Sequence, residues 1–413
     1  MSNGFTDEGL AALDQALAGH VTRGAVPGLV ALVARAGQVH VCTAGQATLG
    51  NSEPIGRDAI FRIASMTKPM VGVAAMLLVQ DGAMALADPV ERWLPELAGR
   101  RVLRSYGAEL DDTVPAACPI TVEDALSFRL GFGCIFDPES LPVVRAEAEL
   151  KLNTLGPPWP PTPLTPDEWI AGLGSLPLLD QPGELWRYNT GATVTGILIE
   201  RVTGAPLAEV LRARVFQPLG MTDTAFYVPA AKLSRFTSMY APAEIADRFG
   251  AASADDTGNG LVLIDGPHGW YAAPPALPDG AASLVSTVDD LWAFAAMLAA
   301  DGGGLLSPES VALMLRDRTT ARDHAEMPWF FGDNAGWGLM MSVPRAGVAP
   351  APGPPGDGRP YGYGWDGGSG TTWRTDPATG LTGILLTERM VTSPEPPEAV
   401  RDFWAAAYSA IER

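Results

Sequence analysis

The 413-residue sequence contains few cysteines and histidines, the residues that disulfide frameworks and many metal sites require. Its three cysteines, Cys42, Cys118 and Cys134, are too few and too scattered for a disulfide framework, so a reduced, cytoplasmic protein is expected. Its four histidines show no spacing typical of metal ligands, so no metal site is predicted. No run of about 20 apolar residues occurs, and no basic and apolar leader opens the sequence, so neither a membrane span nor a secretion signal is predicted.

Positive charge is scarce as well. There are 28 lysines and arginines against 47 aspartates and glutamates, and the formal net charge of −19 argues against nucleic acid or an anionic membrane as a partner. Since 47% of the residues are hydrophobic and 18% are charged, the chain can still bury a large core. Only three of the basic residues are lysines, at positions 68, 151 and 232, so an amine with a chemical role has few candidates.

One of these lysines lies three residues after a serine, in the segment Ser65-Met66-Thr67-Lys68. An apolar run of good helix-forming residues follows and ends at Asp81-Gly82, which predicts that Ser65 lies at the N-terminus of a helix. Residues at i and i+3 share a helix face, so the Lys68 amine would reach the Ser65 hydroxyl. A lysine kept neutral by burial could accept the serine proton during nucleophilic attack, whereas a helix cap followed by a surface lysine is the alternative interpretation.

The pattern along the chain predicts an α+β fold. Helices are predicted at 9–20, 194–202, 289–300 and 397–411, and strands at 28–33, 39–44, 371–375 and 381–388. We therefore expect an antiparallel sheet formed by the N- and C-terminal segments and flanked by helices. Residues 1–84 and 281–413 would form this sheet domain, and residues 85–280 an inserted, mainly helical and loop-rich domain. Loops rich in proline and glycine are predicted at 156–163 and 349–360.

A serine–lysine pair also needs a second proton-handling group, and the segment Gln181 to Gly191 offers Tyr188. A turn leads to this tyrosine, and an apolar helix follows it. Beside Lys68, Tyr188 could ionise in part and deprotonate Ser65, or it could protonate the leaving group. Considered by itself, a half-buried packing tyrosine is the alternative.

An oxyanion hole would complete such a site, and the glycine-rich segment from Tyr361 to Trp373 is the candidate. Its glycines allow the backbone to approach a substrate closely, and an exposed strand edge there could donate one N–H to an oxyanion. The same segment contains a formal Gly-x-Gly-x-x-Gly motif. A strand-like run follows it where a dinucleotide site needs a helix, so that interpretation is set aside.

Taken in order, these three segments resemble the serine β-lactamase and penicillin-recognising superfamily, and most of all the family VIII carboxylesterases, which share the class C β-lactamase fold. Ser65-Met66-Thr67-Lys68 matches the Ser-x-x-Lys element, and Pro182-Gly183 followed by Tyr188 matches the segment of the Tyr-x-Asn element. Trp365-Asp366-Gly367 occupies the Lys-Thr-Gly position, where these esterases often carry Trp-Gly-Gly. The similarity extends from about residue 28 to residue 388.

The resemblance implies a role for each matching residue. Ser65 would be the nucleophile, and Lys68 and Tyr188 would be the general-base pair. The backbone N–H groups of Ser65 and Gly368 would form the oxyanion hole. The substrate pocket would be lined by Trp365, Asp366, Gly367, Asn189 and Thr190. No cofactor is implied.

Two departures from the family pattern bear on the substrate. Thr190 stands where β-lactamases place an asparagine, with Asn189 displaced by one position, and it lacks the amide that contacts the acylamino side chain of a β-lactam. Trp365 replaces the lysine that would pair with a substrate carboxylate, and losing that contact removes about 1.5–3 kcal/mol of binding. A tryptophan offers a flat apolar wall instead, so the site is expected to take neutral esters.

The sequence therefore predicts a serine carboxylesterase that hydrolyses short-chain or otherwise compact neutral esters through an acyl-enzyme on Ser65. A β-lactamase, a D-stereospecific peptidase or an acyltransferase on the same scaffold is the first alternative, and a catalytically silent binding module is the second. A hydrolase of the α/β type is not supported, because no serine lies in a Gly-x-Ser-x-Gly motif.

Overall fold

The computed structural model describes residues 4–135, 141–152, 161–246, 260–349, 360–393 and 395–412. Within these ranges the helices are α1 (Asp7–Thr22), α2 (Thr67–Gln80), α3 (Val122–Leu126), α4 (Pro142–Glu149), α5 (Pro166–Ser175), α6 (Thr190–Thr203), α7 (Leu207–Leu211), α8 (Gln217–Leu219), α9 (Ala243–Ala246), α10 (Val288–Ala299), α11 (Pro308–Met314), α12 (Ala321–Glu326), α13 (Pro328–Phe331) and α14 (Glu398–Ser409). The strands are β1 (Gly28–Arg35), β2 (Gln38–Gly45), β3 (Phe61–Arg62), β4 (Arg101–Leu103), β5 (Thr113–Pro115), β6 (Met239–Pro242), β7 (Leu261–Asp265), β8 (Val285–Ser286), β9 (Ala335–Trp337), β10 (Ser342–Pro344), β11 (Tyr363–Gly367), β12 (Thr371–Asp376) and β13 (Leu381–Thr387). A 3₁₀ turn, Ala64–Met66, leads directly into α2.

Seven of these strands form one antiparallel sheet in the order β2-β1-β13-β12-β11-β10-β9. The N-terminal hairpin β1–β2 joins the C-terminal strands through β1 and β13, where Leu32 pairs with Ile384. The predicted α+β class and the sheet built from both ends of the chain are therefore confirmed. The strand pairs β3–β8, β4–β5 and β6–β7 lie outside this sheet.

The two faces of the sheet pack against different helices because successive residues of a strand point to opposite sides. On one face, Leu29, Ala31 and Val33 of β1 belong to the apolar cluster formed with α1 and α14. On the other face, Val30 and Leu32 belong to the main core, which includes α2, α6 and α10. Since α2 is packed on all sides, every residue from Thr67 to Leu78 is buried.

Most predicted elements lie within a few residues of the observed ones, and the largest difference is in α6. This helix begins at Thr190, four residues before the predicted start at Val194. Three of the four residues in its first turn, Thr190, Gly191 and Thr193, are weak helix formers, and the preceding Asn189 gives no side-chain cap. The sequence therefore contains little to mark this start. The loops predicted at 156–163 and 349–360 lie mostly outside the described residues.

One apolar core connects the segments that were predicted as separate domains. It contains residues of the sheet, such as Val30 and Trp365, together with Val102, Trp169 and Leu198 from the region between residues 85 and 280. The division of the chain near residues 84 and 280 stays a prediction. None of the helices in the described ranges is long and apolar enough to cross a membrane.

Candidate active site

The Ser65 hydroxyl and the Lys68 amine lie side by side. Lys68 Nζ is 2.9 Å from Ser65 Oγ and donates to the backbone carbonyl oxygen of Ala281 at 2.7 Å. Ser65 is in the 3₁₀ turn before α2, and Lys68 is the second residue of that helix. The i to i+3 spacing therefore places the two side chains together, as the Ser-x-x-Lys motif predicts.

The Lys68 side chain is completely buried. Burial disfavours the charged ammonium and lowers the pKa of Lys68 from 10.5 to about 7, although Asp279 and Cys134 nearby raise it. An amine with this pKa is largely neutral just above pH 7, so it can accept a proton from the half-buried Ser65.

The backbone before Ser65 is strained. Ala64 has a φ of 44°, in the left-handed region that residues with a Cβ rarely adopt. This turn redirects the chain from β3 into α2 and leaves Ser65 at the helix N-terminus, where the helix dipole favours a developing negative charge. A hydrogen bond from Ile63 N–H to the Leu284 carbonyl oxygen, 3.1 Å long, holds this turn in place.

Tyr188 completes the group of polar side chains. Its hydroxyl accepts a hydrogen bond from Trp365, and Lys68 Nζ lies 4.5 Å from the centre of its ring. Burial raises the pKa of Tyr188 above its usual value, and the Ser65 and Trp365 side chains offset only part of this effect. The phenol is therefore protonated at neutral pH. This favours proton donation to the leaving group over the partly ionised base, the other role predicted for Tyr188.

The segment that carries Tyr188 is held by hydrogen bonds on both sides. Arg187 N–H donates to the Phe128 carbonyl oxygen at 2.7 Å, and the Arg187 guanidinium forms a buried ion pair with Asp180. The Tyr188 carbonyl oxygen accepts from Cys134 N–H at 2.8 Å. These contacts fix the backbone of the tyrosine before α6 begins.

Trp365 lies against Tyr188 and forms a hydrogen bond with it that was not predicted from the sequence. Its Nε1–H donates to Tyr188 Oη at 2.8 Å, and only 9% of the residue is exposed. Its ring packs against Trp337, with centroids 4.6 Å apart, and against Phe330, with centroids 5.4 Å apart. The indole therefore orients the tyrosine hydroxyl as well as excluding water from it.

The second half of β11 has an open edge. The pairing of β10 with β11 occurs only between Ser342 and Gly364, so among the described strands none lies beside residues 365–367 on that edge. Backbone groups on an open strand edge can bond to a substrate, as the glycine-rich sequence predicts.

The turn after β11 is attached directly to the segment that carries Ser65. A Cβ on Gly367 would lie 2.4 Å from the Ile63 carbonyl oxygen, so only glycine allows the strand to approach this closely. The Ser369 hydroxyl donates to the Arg62 carbonyl oxygen at 2.6 Å. Gly368 lies between these two attachments and is partly exposed, a position from which its N–H can contribute to an oxyanion hole.

Three of the residues predicted to line the pocket are either buried or bonded to neighbouring side chains. Neighbouring residues of a strand point to opposite faces, and Asp366 accepts hydrogen bonds from Thr372 Oγ1 at 2.6 Å and from Arg374 at 2.8 Å on the face that packs against α14. Thr190 is fully buried within α6, and Asn189 before it is buried with a φ of 91°. Asp366 is therefore bonded within the sheet, and the contact of these three residues with substrate stays a prediction.

Several residues at the site were not identified from the sequence. The Ala281 carbonyl oxygen bonds to Lys68, and Asp279 lies just before it in the chain. Phe330 of α13 packs on Tyr188, with ring centroids 5.0 Å apart. The aromatic run around Phe330 signals an apolar wall, but nothing in it indicates which site it faces. Among the described residues, no three His, Cys, Asp or Glu side chains lie close enough together to hold a metal ion.

The likeness to known proteins extends along nearly the whole chain. The profile of the Beta-lactamase family matches residues 13–407. The chain belongs to the Beta-lactamase family. An uncharacterized protein of Mycobacterium tuberculosis is 37% identical to this chain over 341 residues. The matched residues cover 81% of this chain and 78% of the relative.

Two further proteins similar to this chain are an esterase and a hydrolase. Esterase EstB of Burkholderia gladioli is 32% identical over 369 residues, covering 87% of this chain and 85% of EstB. The solved structure of EstCE1, described as a hydrolase with promiscuous acyltransferase activity, superposes with a TM-score of 0.75 at 25% identity, covering 97% of this chain and 99% of EstCE1. The predicted resemblance to the family VIII esterases is confirmed, and this family member is a serine hydrolase.

Proposed function

We propose that this chain is a carboxylesterase that hydrolyses compact, uncharged esters through an acyl-enzyme on Ser65. The observation that carries the proposal is the hydrogen-bonded group of a half-buried serine, a buried lysine whose pKa is lowered to about 7, and a protonated tyrosine held by a tryptophan. The expected partner is a small-molecule ester. The cytoplasmic location stays a prediction from the sequence.

Acylation follows from the positions of the three polar groups. Ser65 Oγ attacks the ester carbonyl carbon while its proton moves to neutral Lys68 Nζ. The carbonyl oxygen becomes an oxyanion, which the backbone N–H groups of Ser65 and Gly368 would stabilise. The carbon–oxygen bond to the alcohol then breaks. Tyr188 donates its proton to the departing alkoxide and regains one from Lys68.

Deacylation repeats these steps with water in place of the serine. A water molecule attacks the acyl carbon, and its proton moves to Lys68. The bond to Ser65 Oγ breaks, and the serine recovers a proton through Tyr188. The acid leaves, and all three groups return to their initial protonation states.

Trp365 is the reason that a preference for neutral esters is expected. An indole cannot pair with the carboxylate of a penicillin, and Trp365 is already packed against Trp337 and Phe330. We therefore expect kcat/KM for p-nitrophenyl butyrate to exceed that for nitrocefin by at least about 10- to 150-fold, the factor that corresponds to the lost ionic contact.

The test compares these two substrates on the same preparation. Mass spectrometry of rapidly quenched enzyme should show a butyryl group on the peptide that contains Ser65. Comparable turnover of nitrocefin would contradict the neutral-ester preference, and a missing adduct under single-turnover conditions would contradict the acyl-enzyme. Acyl transfer to an added alcohol is the second candidate, favoured by the likeness to EstCE1. It would appear as butyrate ester formed in place of butyric acid.

Replacing Trp365 with Phe is expected to lower kcat about five- to tenfold, because Tyr188 Oη loses a hydrogen bond worth about 1–1.4 kcal/mol. KM should change less than kcat, since the bond acts on the proton donor. The matched control is Trp373→Phe, because Trp373 lies opposite Trp365 in the sheet but donates to Thr375 Oγ1. Equal losses of kcat in both variants would show that general packing, and not the bond to Tyr188, sets the rate.

A further inference from the structure

A buried carboxylate lies behind the catalytic lysine. Asp279, in the loop before β8, is only 6% exposed. Its Oδ1 accepts hydrogen bonds from Thr193 Oγ1 at 2.7 Å and from Ala281 N–H at 2.9 Å. The carbonyl oxygen of the same Ala281 accepts from Lys68 Nζ at 2.7 Å. A continuous set of hydrogen bonds therefore connects α6, the carboxylate, the loop and the lysine.

The loop that carries Asp279 has little freedom to move. A Cβ on Gly280 would lie 2.6 Å from the Ala192 carbonyl oxygen, so the loop backbone lies directly on α6. At the end of the loop, Leu284 N–H donates to Thr67 Oγ1 at 3.1 Å, which attaches it to the first residue of α2. The contacts of the loop with α6 and with α2 therefore hold the Ala281 carbonyl in place.

Asp279 is also the acidic group best placed to act on the lysine. The titratable groups around Lys68 are Asp279, Cys134 and Tyr188, and Tyr271 faces Asp279. Burial raises the pKa of Cys134 to about 12 and raises those of both tyrosines, so these three groups are neutral at pH 7. Burial also raises the pKa of Asp279, but the hydrogen bonds that it accepts and the charge of Lys68 favour its ionised form.

We propose that Asp279 is a positioning residue for the general base, which holds the Ala281 carbonyl against the Lys68 amine and places a buried negative charge behind it. This charge stabilises the ammonium that Lys68 becomes after it takes the proton of Ser65. The inference rests on the proposed role of Lys68 as the base. Without the charge, the desolvated amine would be a weaker base, and acylation would slow.

The titration of Lys68 can be followed without any measurement of activity. Because the chain has three lysines, protein labelled with [ε-¹³C]lysine gives three signals, and the Lys151→Arg and Lys232→Arg variants assign them. In Asp279→Asn the side-chain oxygen still accepts hydrogen bonds but carries no charge. The titration midpoint of Lys68 should therefore fall by roughly 0.5–1 pH unit. The acid limb of kcat/KM should move to lower pH by the same amount, and kcat should fall about three- to tenfold while KM stays within about twofold.

A second variant keeps the proposal testable if Asp279→Asn does not fold. Thr193→Val removes one donor to the carboxylate, which favours its neutral form, so a smaller shift of Lys68 in the same direction is expected. Thr195→Val is the matched control in the same helix, because Thr195 Oγ1 donates to the Gly191 carbonyl oxygen at 2.7 Å, and no shift is expected there.

An unchanged or raised Lys68 midpoint in the folded variants would overturn the proposal even if kcat fell, since a purely structural role would not move the titration of the amine. An absence of ester turnover by the unmodified protein would instead overturn the proposed function. The lysine signals would still report whether Asp279 acts on Lys68, so the two failures are distinguishable.

Discussion

Ester hydrolysis by the Ser65→Ala variant is expected to fall by about 10⁴-fold or more. The reason is that Lys68 and Tyr188 handle a proton that only the serine oxygen supplies, and without this oxygen no acyl-enzyme forms. Ser65 is half-buried and loses one small polar atom, so the free energy of unfolding should change by no more than about 1 kcal/mol. Initial rates with p-nitrophenyl butyrate and a thermal unfolding curve measure the two effects.

A serine outside the site provides the control. Ser310 is buried on α11, and Ser310→Ala should retain full esterase activity. If Ser65→Ala kept more than about a thousandth of the activity after repurification, a different nucleophile would have to be sought. Loss of activity in both variants would point to unfolding, which the melting curve would reveal.

Replacing Lys68 with Met is expected to reduce kcat/KM about 10³-fold, because the side chain keeps its length but can no longer accept a proton. The pH dependence gives this prediction its specific signature. In the unmodified enzyme kcat/KM should fall tenfold per pH unit below about pH 7, as Lys68 becomes protonated and stops acting as a base. In Lys68→Met this acid limb should disappear from the residual rate.

Lys232 offers a matched control for the loss of a lysine. Its amine is partly exposed and pairs with Asp223 at 2.8 Å, so Lys232→Met should keep both the rate and the acid limb. A limb near pH 7 that persisted in Lys68→Met would show that another group titrates, and it would remove Lys68 from the role of base.

Features that depend on residues close together in the chain could be predicted from the sequence. The hairpin of β1 and β2 was predicted because two short runs rich in valine, joined by a short connection that contains glycine, mark it locally. The pairing of Ser65 with Lys68 depends only on helix geometry over three residues, so the sequence was sufficient for it as well.

Contacts between distant segments could not be predicted in the same way. Trp365 donates to Tyr188 across 177 positions, and Lys68 donates to Ala281 across 213 positions, and no local pattern encodes either bond. The orientation of Asp366 was missed for a different reason. Glycines on both sides hide the strand character of β11, and strand alternation would otherwise have placed Asp366 and Trp365 on opposite faces.

The order of strands in the sheet also affects how the chain acquires activity during synthesis. Leu32 of β1 can pair with Ile384 of β13 only after synthesis has passed residue 384. Until then the hairpin has an unpaired apolar edge, which makes folding slow and exposes the nascent chain to aggregation. The segment with Ser65 and Lys68 is also synthesised early, whereas the turn with Gly368 is synthesised late. A nascent chain or a C-terminally truncated one would therefore carry Ser65 and Lys68 without Gly368, and we expect it to show no esterase activity.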